Sequence, residues 1–169
     1  MPRGRSTRPT PARVREAWFN ALGESVRDSL VLDLYAGTGA LGIEALSRGA
    51  CGATFVERDA AVAGALGRTL DELGLTDRCS VRRGTVESFI TSLCRTGSDF
   101  DIVLADPPYG TGAAVSLVDR FRVDPFASIL CVEHEPDVLD AVDAQWQHRY
   151  GDTALSFVFA KPHEVRNGL

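Results

Sequence analysis

The sequence predicts an α/β fold: a doubly wound, mostly parallel sheet of about seven strands, with helices on both faces and an antiparallel edge strand. First, short apolar runs alternate with helical stretches along nearly the whole chain. Second, the connections between them are short, and neither a repeat nor a low-complexity tract interrupts them. Third, two closing strands flank Gly151-Asp152, and a tight turn there predicts one reversed strand at that edge.

The first helix is predicted to begin at Thr10-Pro11, because a hydroxyl residue at the N-cap followed by proline at N1 is a strong start signal. Its apolar residues recur at helical spacing and share one face: Val14, Ala17, Trp18, Ala21 and Leu22. A short apolar run that ends in glycines predicts a buried strand at Leu30–Tyr35. Further strands are predicted at Ala53–Glu57, Ser80–Arg82, Phe100–Ala105 and Ser128–Glu133, and two closing strands at Trp146–Tyr150 and Ala154–Phe159. Helices are predicted between them, at Ala40–Ser47, Ala60–Leu73, Val86–Cys94, after the sequence DPPYG, and at Val138–Ala144.

The length and composition are those of one globular domain: 169 residues, 44% hydrophobic and 24% charged. We expect a basic arm at residues 1–10 and a single domain at residues 11–169. No apolar run approaches the roughly 20 residues of a membrane helix, and the N-terminus lacks the apolar core of a secretion signal. The four cysteines and three histidines are scattered, which predicts a reduced, metal-free, cytoplasmic protein.

The net charge of −5 argues by itself against a nucleic-acid partner, but the charge is unevenly distributed. Residues 1–15 contain five of the 18 basic residues and none of the 23 acidic ones. Because guanidinium groups match phosphate oxygens in a bidentate geometry, Arg8, Arg13 and Arg15 are candidate phosphate contacts. A solvated arm without a ligand is the alternative interpretation.

A glycine-rich segment, DLYAGTGALG, runs from Asp33 to Gly42 after the first predicted strand. Glycines let the backbone approach a ligand beyond the end of a parallel strand, although this spacing alone is also found in dinucleotide-binding folds and in ligand-free turns. Asp33 narrows the choice of ligand, because a carboxylate there would repel a pyrophosphate and attract an ammonium or a sulfonium. The segment therefore favours S-adenosylmethionine (SAM), with candidate contacts at Asp33, Tyr35, Gly37 and Gly39.

Two further positions suit a nucleoside ligand. Glu57 ends the second strand, where a carboxylate can accept hydrogen bonds from both ribose hydroxyls; an exposed loop acid is the alternative. Thr85 and Val86 follow the third strand, where an adenine would lie in this geometry. A helix N-cap explains Thr85 equally well.

A second constellation, Asp106-Pro107-Pro108-Tyr109, directly follows the fourth strand. The prolines fix the backbone and remove two donors, so the carbonyls of Asp106 and Pro107 remain available as acceptors. A flat ring that stacked on Tyr109 would direct its exocyclic amine at these acceptors and at the Asp106 carboxylate. Accepting the N–H bonds would localise the nitrogen lone pair and orient it for methyl transfer. A plain turn is the alternative.

Together, D-L-Y-A-G-T-G and D-P-P-Y resemble class I SAM-dependent methyltransferases that act on exocyclic or amide nitrogens. More specifically, the chain resembles the RsmD family of bacterial 16S ribosomal RNA guanine-N2 methyltransferases. The resemblance rests on residues 8–20 (RPTPARVREAWFN), residues 32–49, residues 105–109 and residues 150–153. It implies a Rossmann-like sheet, SAM bound by Asp33, Gly37, Gly39 and Glu57, and Asp106 and Tyr109 at the target base.

The resemblance also implies that the arginine-bearing first helix lies near the cofactor and the RNA entrance. Because a single domain with so little basic surface makes few phosphate contacts, we expect a monomer that acts on 16S rRNA presented by an assembled small subunit. The chain departs from the family in two places. Only Met1–Thr7 stands where members have a glycine- and arginine-rich hairpin, and Thr85 replaces a common Asp or Asn. Two other functions stay open: an amino-methyltransferase of DNA adenine or of a protein amide, and a non-catalytic or dinucleotide-binding domain.

Overall fold

A computed structural model describes residues 12–96, 100–142 and 144–160. Its strands are β1 (Leu30–Leu34), β2 (Gly52–Glu57), β3 (Cys79–Arg83), β4 (Phe100–Ala105), β5 (Ala127–His134), β6 (Trp146–Tyr150) and β7 (Thr153–Phe159). Its α-helices are α1 (Ala12–Leu22), α2 (Ala40–Ser47), α3 (Ala60–Glu72), α4 (Val86–Thr96), α5 (Ala113–Val123) and α6 (Leu139–Val142). The predicted arm, its Arg8 and the helix start at Thr10-Pro11 lie outside the described residues.

The strands form one sheet in the order β3-β2-β1-β4-β5-β7-β6. Strands β1 to β5 pair in parallel, whereas β7 runs antiparallel to both β5 and β6. The predicted doubly wound, mostly parallel sheet is confirmed. The tight turn at Gly151 folds β7 back between β5 and β6, so the reversed strand lies one position in from the edge.

The predicted strands and α-helices agree closely with the observed ones, although the 3₁₀ turns at Gly23–Val26 and Thr76–Arg78 were not predicted and the region near residue 138 differs. There the structure has a 3₁₀ turn at Pro136–Val138 followed by the four-residue helix α6, where the sequence predicted one helix to residue 144. Proline at the start explains the early turn, because its fixed φ suits the first position of a helix and its missing N–H is not needed there.

Two apolar layers cover the two faces of the sheet. On one face α1, α2 and α3 pack against alternate strand residues, and Trp18 of α1 is fully buried there. On the other face α4, α5 and α6 cover the remaining strand residues, with Phe121 of α5 fully buried. Burial on both faces explains why the central parallel strands appear in the sequence as continuous apolar runs.

The sheet reverses its winding between β1 and β4. From β1 the chain continues to β2 on one side, and from β4 it continues to β5 on the other, although β1 and β4 are paired neighbours. The connections that follow these two strands therefore diverge and leave a crevice at their carboxyl ends, where ligands bind in open α/β sheets. The glycine-rich segment and the DPPY loop are those two connections.

Candidate active site

Four carboxylates lie in a row along the carboxyl edge of the sheet. They are Glu57, Asp33, Asp106 and Glu133, at the ends of the adjacent strands β2, β1, β4 and β5. The residue two positions before each of them belongs to the core on the α1–α3 face, and side chains alternate along a strand. All four therefore share that face, and at ~4.8 Å between strands the row spans roughly 15 Å.

The two buried members of this row have strongly perturbed acidities. The pKa of Asp33 is raised to about 8, mainly by burial and to a smaller extent by the charges of Asp106 and Glu57, while the hydrogen bond from Gly42 lowers it. Burial likewise raises the pKa of Glu133 to about 7, followed by the charge of Asp106. An organic cation in the crevice would relieve the repulsion between these carboxylates. The row of acids therefore suits the ammonium or sulfonium of SAM.

The glycine-rich segment is shaped by hydrogen bonds to two of these acids. The Gly37 N–H donates to Glu57 Oε2 at 2.9 Å, and the Gly42 N–H donates to Asp33 Oδ2 at 2.8 Å. Tyr35 and Gly37 have φ values of 61° and 53°, in the left-handed region, so the chain turns sharply between β1 and α2. The acids thus orient the segment that the sequence identified as a ligand cradle.

Gly42 is required by packing. A Cβ atom there would lie 2.3 Å from Cε1 of the fully buried Phe55 and 3.1 Å from Asp33 Oδ2. We expect Gly42→Ala to destabilise the fold by about 1–3 kcal/mol through overpacking, which lowers the Tm by roughly 2–4 °C per kcal/mol. Differential scanning calorimetry measures this shift. Gly67→Ala in α3 is the matched control, because its Cβ meets nothing within 4 Å, and its Tm should stay equal or rise. Equal Tm values for the two variants would contradict the packing argument.

Glu57 and Thr85 both make local hydrogen bonds. Glu57 Oε1 accepts from the Asp59 N–H at 2.8 Å, so each of its oxygens holds one backbone donor and keeps a second lone pair.

Thr85 Oγ1 accepts from the Ser88 N–H at 3.2 Å and caps α4, as the alternative interpretation of Thr85 predicted. Val86, the first residue of α4, is buried. A cavity of about 370 Å³ opens beside Thr85, lined in part by Gly84 and Phe89.

The DPPY loop forms the other wall of the crevice, and its residues differ in their exposure to solvent. Pro107 is buried, Asp106 is half-buried, and the Tyr109 side chain is 44% exposed. Stacking of a base on its ring stays a prediction. Its hydroxyl is engaged: it donates to Glu133 Oε1 at 3.0 Å and lies 2.6 Å from Thr153 Oγ1.

Glu133 and Thr153 are functional candidates that the sequence analysis missed. Glu133 follows the apolar run of β5 just as Glu57 follows that of β2, so an acid at a strand end was the available signal. Thr153 ends one of the segments that carry the family resemblance, but its proximity to Tyr109 gave no signal, because it depends on the return of β7 beside β5.

The arginines of α1 differ in their surroundings. Arg13 is exposed, whereas Arg15 Nε lies 3.7 Å from Glu44 Oε2 on α2. Glu44 also pairs with Arg48 at 2.7 Å, and the Arg48 guanidinium lies 4.9 Å from the Phe19 ring centroid. Arg15 is thus partly committed to holding α1 against α2, and Arg13 is the freer candidate for a phosphate. Their contact with RNA stays a prediction.

Within residues 12–96, 100–142 and 144–160, no three His, Cys, Asp or Glu side chains are grouped so as to hold a metal ion. Across the same part of the chain, every helix is too short or too polar to cross a bilayer.

Comparisons with known proteins agree with this architecture. The family model described as "Conserved hypothetical protein 95" matches residues 1–158. Ribosomal RNA small subunit methyltransferase D of Escherichia coli K12 is 35% identical over 154 residues, which cover 88% of this chain and 76% of that protein.

Two solved structures, both from Thermus thermophilus, are similar in fold. A hypothetical protein of that organism superposes with a TM-score of 0.81 at 28% identity, over 93% of this chain and 91% of that one. A 16S rRNA guanine-N2 methyltransferase, solved with SAM and guanosine, gives a TM-score of 0.72 at 22% identity, over 93% of this chain and 45% of that one. The family match and the curated relative show that this chain belongs to the RsmD family of small-subunit ribosomal RNA methyltransferases.

Proposed function

We propose that this protein transfers a methyl group from SAM to the exocyclic N2 of a guanine in 16S ribosomal RNA. The observation that carries the proposal is the meeting of two loops at the switch point of the sheet. One is the glycine-rich segment with Asp33 and Glu57, and the other is the DPPY loop with Asp106 and Tyr109. Membership in the RsmD family supports the same reaction and substrate.

The acceptor groups and the backbone shape of the first loop suit the cofactor. Asp33 would attract the methionine ammonium, and the spare lone pairs of Glu57 would accept the ribose hydroxyls. Gly37 leaves the backbone open beside them, whereas Gly39 lets the segment pack closely on Leu66 and Phe55. Tyr35, Thr85 and Val86 would border the nucleoside. When bound, SAM supplies an electrophilic methyl group on a sulfonium.

The second loop would bind and orient the target base. Tyr109 would stack on the guanine, and the Asp106 carboxylate and Pro107 carbonyl would accept the N2 hydrogens. These bonds draw electron density onto N2, whose lone pair is otherwise delocalised into the ring. The proton leaves after methylation, when the amine has become acidic, and Asp106 would receive it.

Direct in-line transfer fits the surroundings better than a covalent route through cysteine. Cys131 precedes Glu133 by two residues in β5, but its complete burial raises the pKa of the thiol well above the ordinary value. The thiolate that would act as a nucleophile is therefore disfavoured there.

We infer that the enzyme relies mainly on the ribosomal particle to present the target base. The basic residues of the arm and α1 provide few phosphate contacts, so binding of free RNA should be weak and salt-sensitive. We place the monomeric enzyme in the cytoplasm, with the assembled small subunit as its substrate.

The test compares naked 16S RNA with small subunits, both from a strain that lacks its own family member. Incubation with radiolabelled SAM followed by mass-spectrometric mapping should find one N2-methylguanosine, with faster incorporation in the subunit. Methylation of adenine, or of protein only, would refute the proposed reaction, and faster methylation of naked RNA would refute the proposed substrate form. Calorimetric titration with SAM and with NAD should show binding of SAM alone.

Substitution of Tyr109 tests the stacking role. Tyr109→Ala removes the ring and should lower kcat/KM by ~10–100-fold, since base–aromatic stacking is worth about 1–3 kcal/mol. Tyr109→Phe keeps the ring but loses the bonds to Glu133 and Thr153, so a smaller loss of several-fold is expected. Steady-state kinetics on small subunits measures both. An equal loss in the two variants would show that the hydroxyl, rather than the ring, carries the function.

A further inference from the structure

Glu133 makes direct contact with the residue assigned to the target base. Its side chain is 4% exposed, and its Oε1 accepts the Tyr109 hydroxyl at 3.0 Å and the Thr153 hydroxyl at 3.4 Å. Thr153 Oγ1 and the Tyr109 hydroxyl oxygen are 2.6 Å apart, which closes a three-membered network. The hydroxyl end of the exposed Tyr109 ring is thereby fixed from β5 and β7.

The Glu133 side chain also lies beside Trp18 of α1. The Trp18 indole N–H lies close enough to Glu133 to lower the pKa of the carboxyl, yet neither Trp18 Nε1 nor Glu133 Oε2 has a hydrogen bond of good geometry. Both atoms are fully shielded from solvent. One buried carboxylate thus contacts α1, β7 and the DPPY loop, and it holds unused acceptor capacity.

The charged and titratable neighbours of Glu133 come from few elements. The loop contributes Asp106 and Tyr109, whereas β7 and α1 contribute the neutral donors Thr153 and Trp18. His134, next in β5, bonds to Ser156 and to a backbone carbonyl instead, and Glu135 accepts from the Gly110 N–H. Asp106 is therefore the charge to which Glu133 is coupled.

We propose that Glu133 is a positioning residue for methyl transfer, which holds the Tyr109 ring in place over the target base through its buried acceptor oxygen. The inference rests on the proposed function for the identity of the base. Its physical basis is separate, because Glu133 Oε1 accepts the Tyr109 hydroxyl in the protein itself. The neighbouring charge of Asp106 favours the protonated form of Glu133, since two carboxylates side by side cannot both ionise as readily as either alone.

The experiment uses three variants of the full chain. Glu133→Gln keeps an acceptor for Tyr109 but removes the charge. Thr153→Val removes one partner of the Tyr109 hydroxyl and leaves the charge. Asp140→Asn removes an exposed negative charge on α6 as the control. For each variant and the wild type we measure kcat against pH on small subunits at saturating SAM, the Tm, and the ¹³C NMR titration of the Glu133 carboxyl and the Tyr109 ring.

Because an ionised Glu133 accepts the Tyr109 hydroxyl more strongly, wild-type kcat at saturating SAM should rise through about pH 7, and the Tyr109 ring resonances should shift with the Glu133 titration. Glu133→Gln should lose both changes with an undiminished Tm, Thr153→Val should lose several-fold in kcat but keep them, and Asp140→Asn should match the wild type. A pH dependence near 7 that survives in Glu133→Gln would overturn the inference, as would a uniform loss of activity with a lowered Tm, which a merely structural role gives. The NMR arm needs no turnover, so it decides the question even if the wild type methylates neither RNA nor subunits, an outcome that would refute the proposed function alone.

Discussion

Replacement of Asp106 by alanine is expected to reduce methyl transfer by ~10²–10³-fold or more, the cost of removing a preorganised electrostatic partner of a transition state. Asp106 lies at the carboxyl end of β4, directly beside Glu133 in the row of acids, because Ala105 pairs with Val132. In the proposed geometry it accepts the hydrogens of the target amine and later its proton. No other residue of the DPPY loop carries a carboxylate.

The affinity for SAM should change by only a few fold in the same variant, because Asp33 and Glu57 remain. Single-turnover methylation of small subunits measures the first quantity, and calorimetric titration with SAM measures the second. Asp106→Asn is the matched control: it keeps one carbonyl acceptor without the charge, so it should retain more activity than the alanine variant. Full activity in Asp106→Ala would refute the assignment of this loop as the site of transfer.

The sequence predicted the fold well because the two strongest local signals, apolar strands and capped helices, agree with the tertiary structure. The strands β1, β2, β4 and β5 are buried on both faces, so burial rather than a subtle alternation marked them. The short α6 was predicted less accurately, since a single helical turn carries too few residues to establish a period.

The site was predictable where chemistry and position coincide along the chain. Asp33, Glu57 and Asp106 each lie at the end of a strand, and parallel strands bring such ends to one edge of a sheet. The link from Tyr109 to Thr153 was not predictable, because it depends on the antiparallel return of β7 across 44 residues of sequence. The depth of burial of Asp33 was likewise hidden, since it follows from the packing of Phe55 and α2 above it.

Replacement of Asp33 by asparagine should stabilise the protein and disable it. The carboxyl is 1% exposed, and its pKa is raised to about 8, far above that of an unfolded aspartate. The folded state therefore retains a proton that the unfolded state releases, and stability falls as the pH rises from about 4 to about 8. Asparagine keeps an acceptor for the Gly42 N–H but carries no charge. Its advantage should be near zero at pH 4 and grow to a few kcal/mol at pH 8, a rise in Tm of roughly 5–10 °C.

The same substitution should weaken SAM binding by at least ~10-fold at pH 8, because the buried charge that would attract the methionine ammonium is lost. A bound cation lowers the pKa of Asp33, so wild-type binding should release a proton and tighten between pH 6 and 8. Calorimetry in buffers of different ionisation enthalpy measures that release, and Asp33→Asn should abolish it.

Asp101→Asn is the control: Asp101 Oδ2 also accepts a backbone N–H, that of Leu30 at 2.8 Å, but the side chain is exposed at the opposite end of the sheet. Neither its Tm nor its SAM affinity should depend on pH differently from the wild type. If Asp33→Asn bound SAM as tightly as the wild type, Asp33 would be only a structural tie between β1 and α2, and the cation argument that led from the glycine-rich segment to SAM would fail.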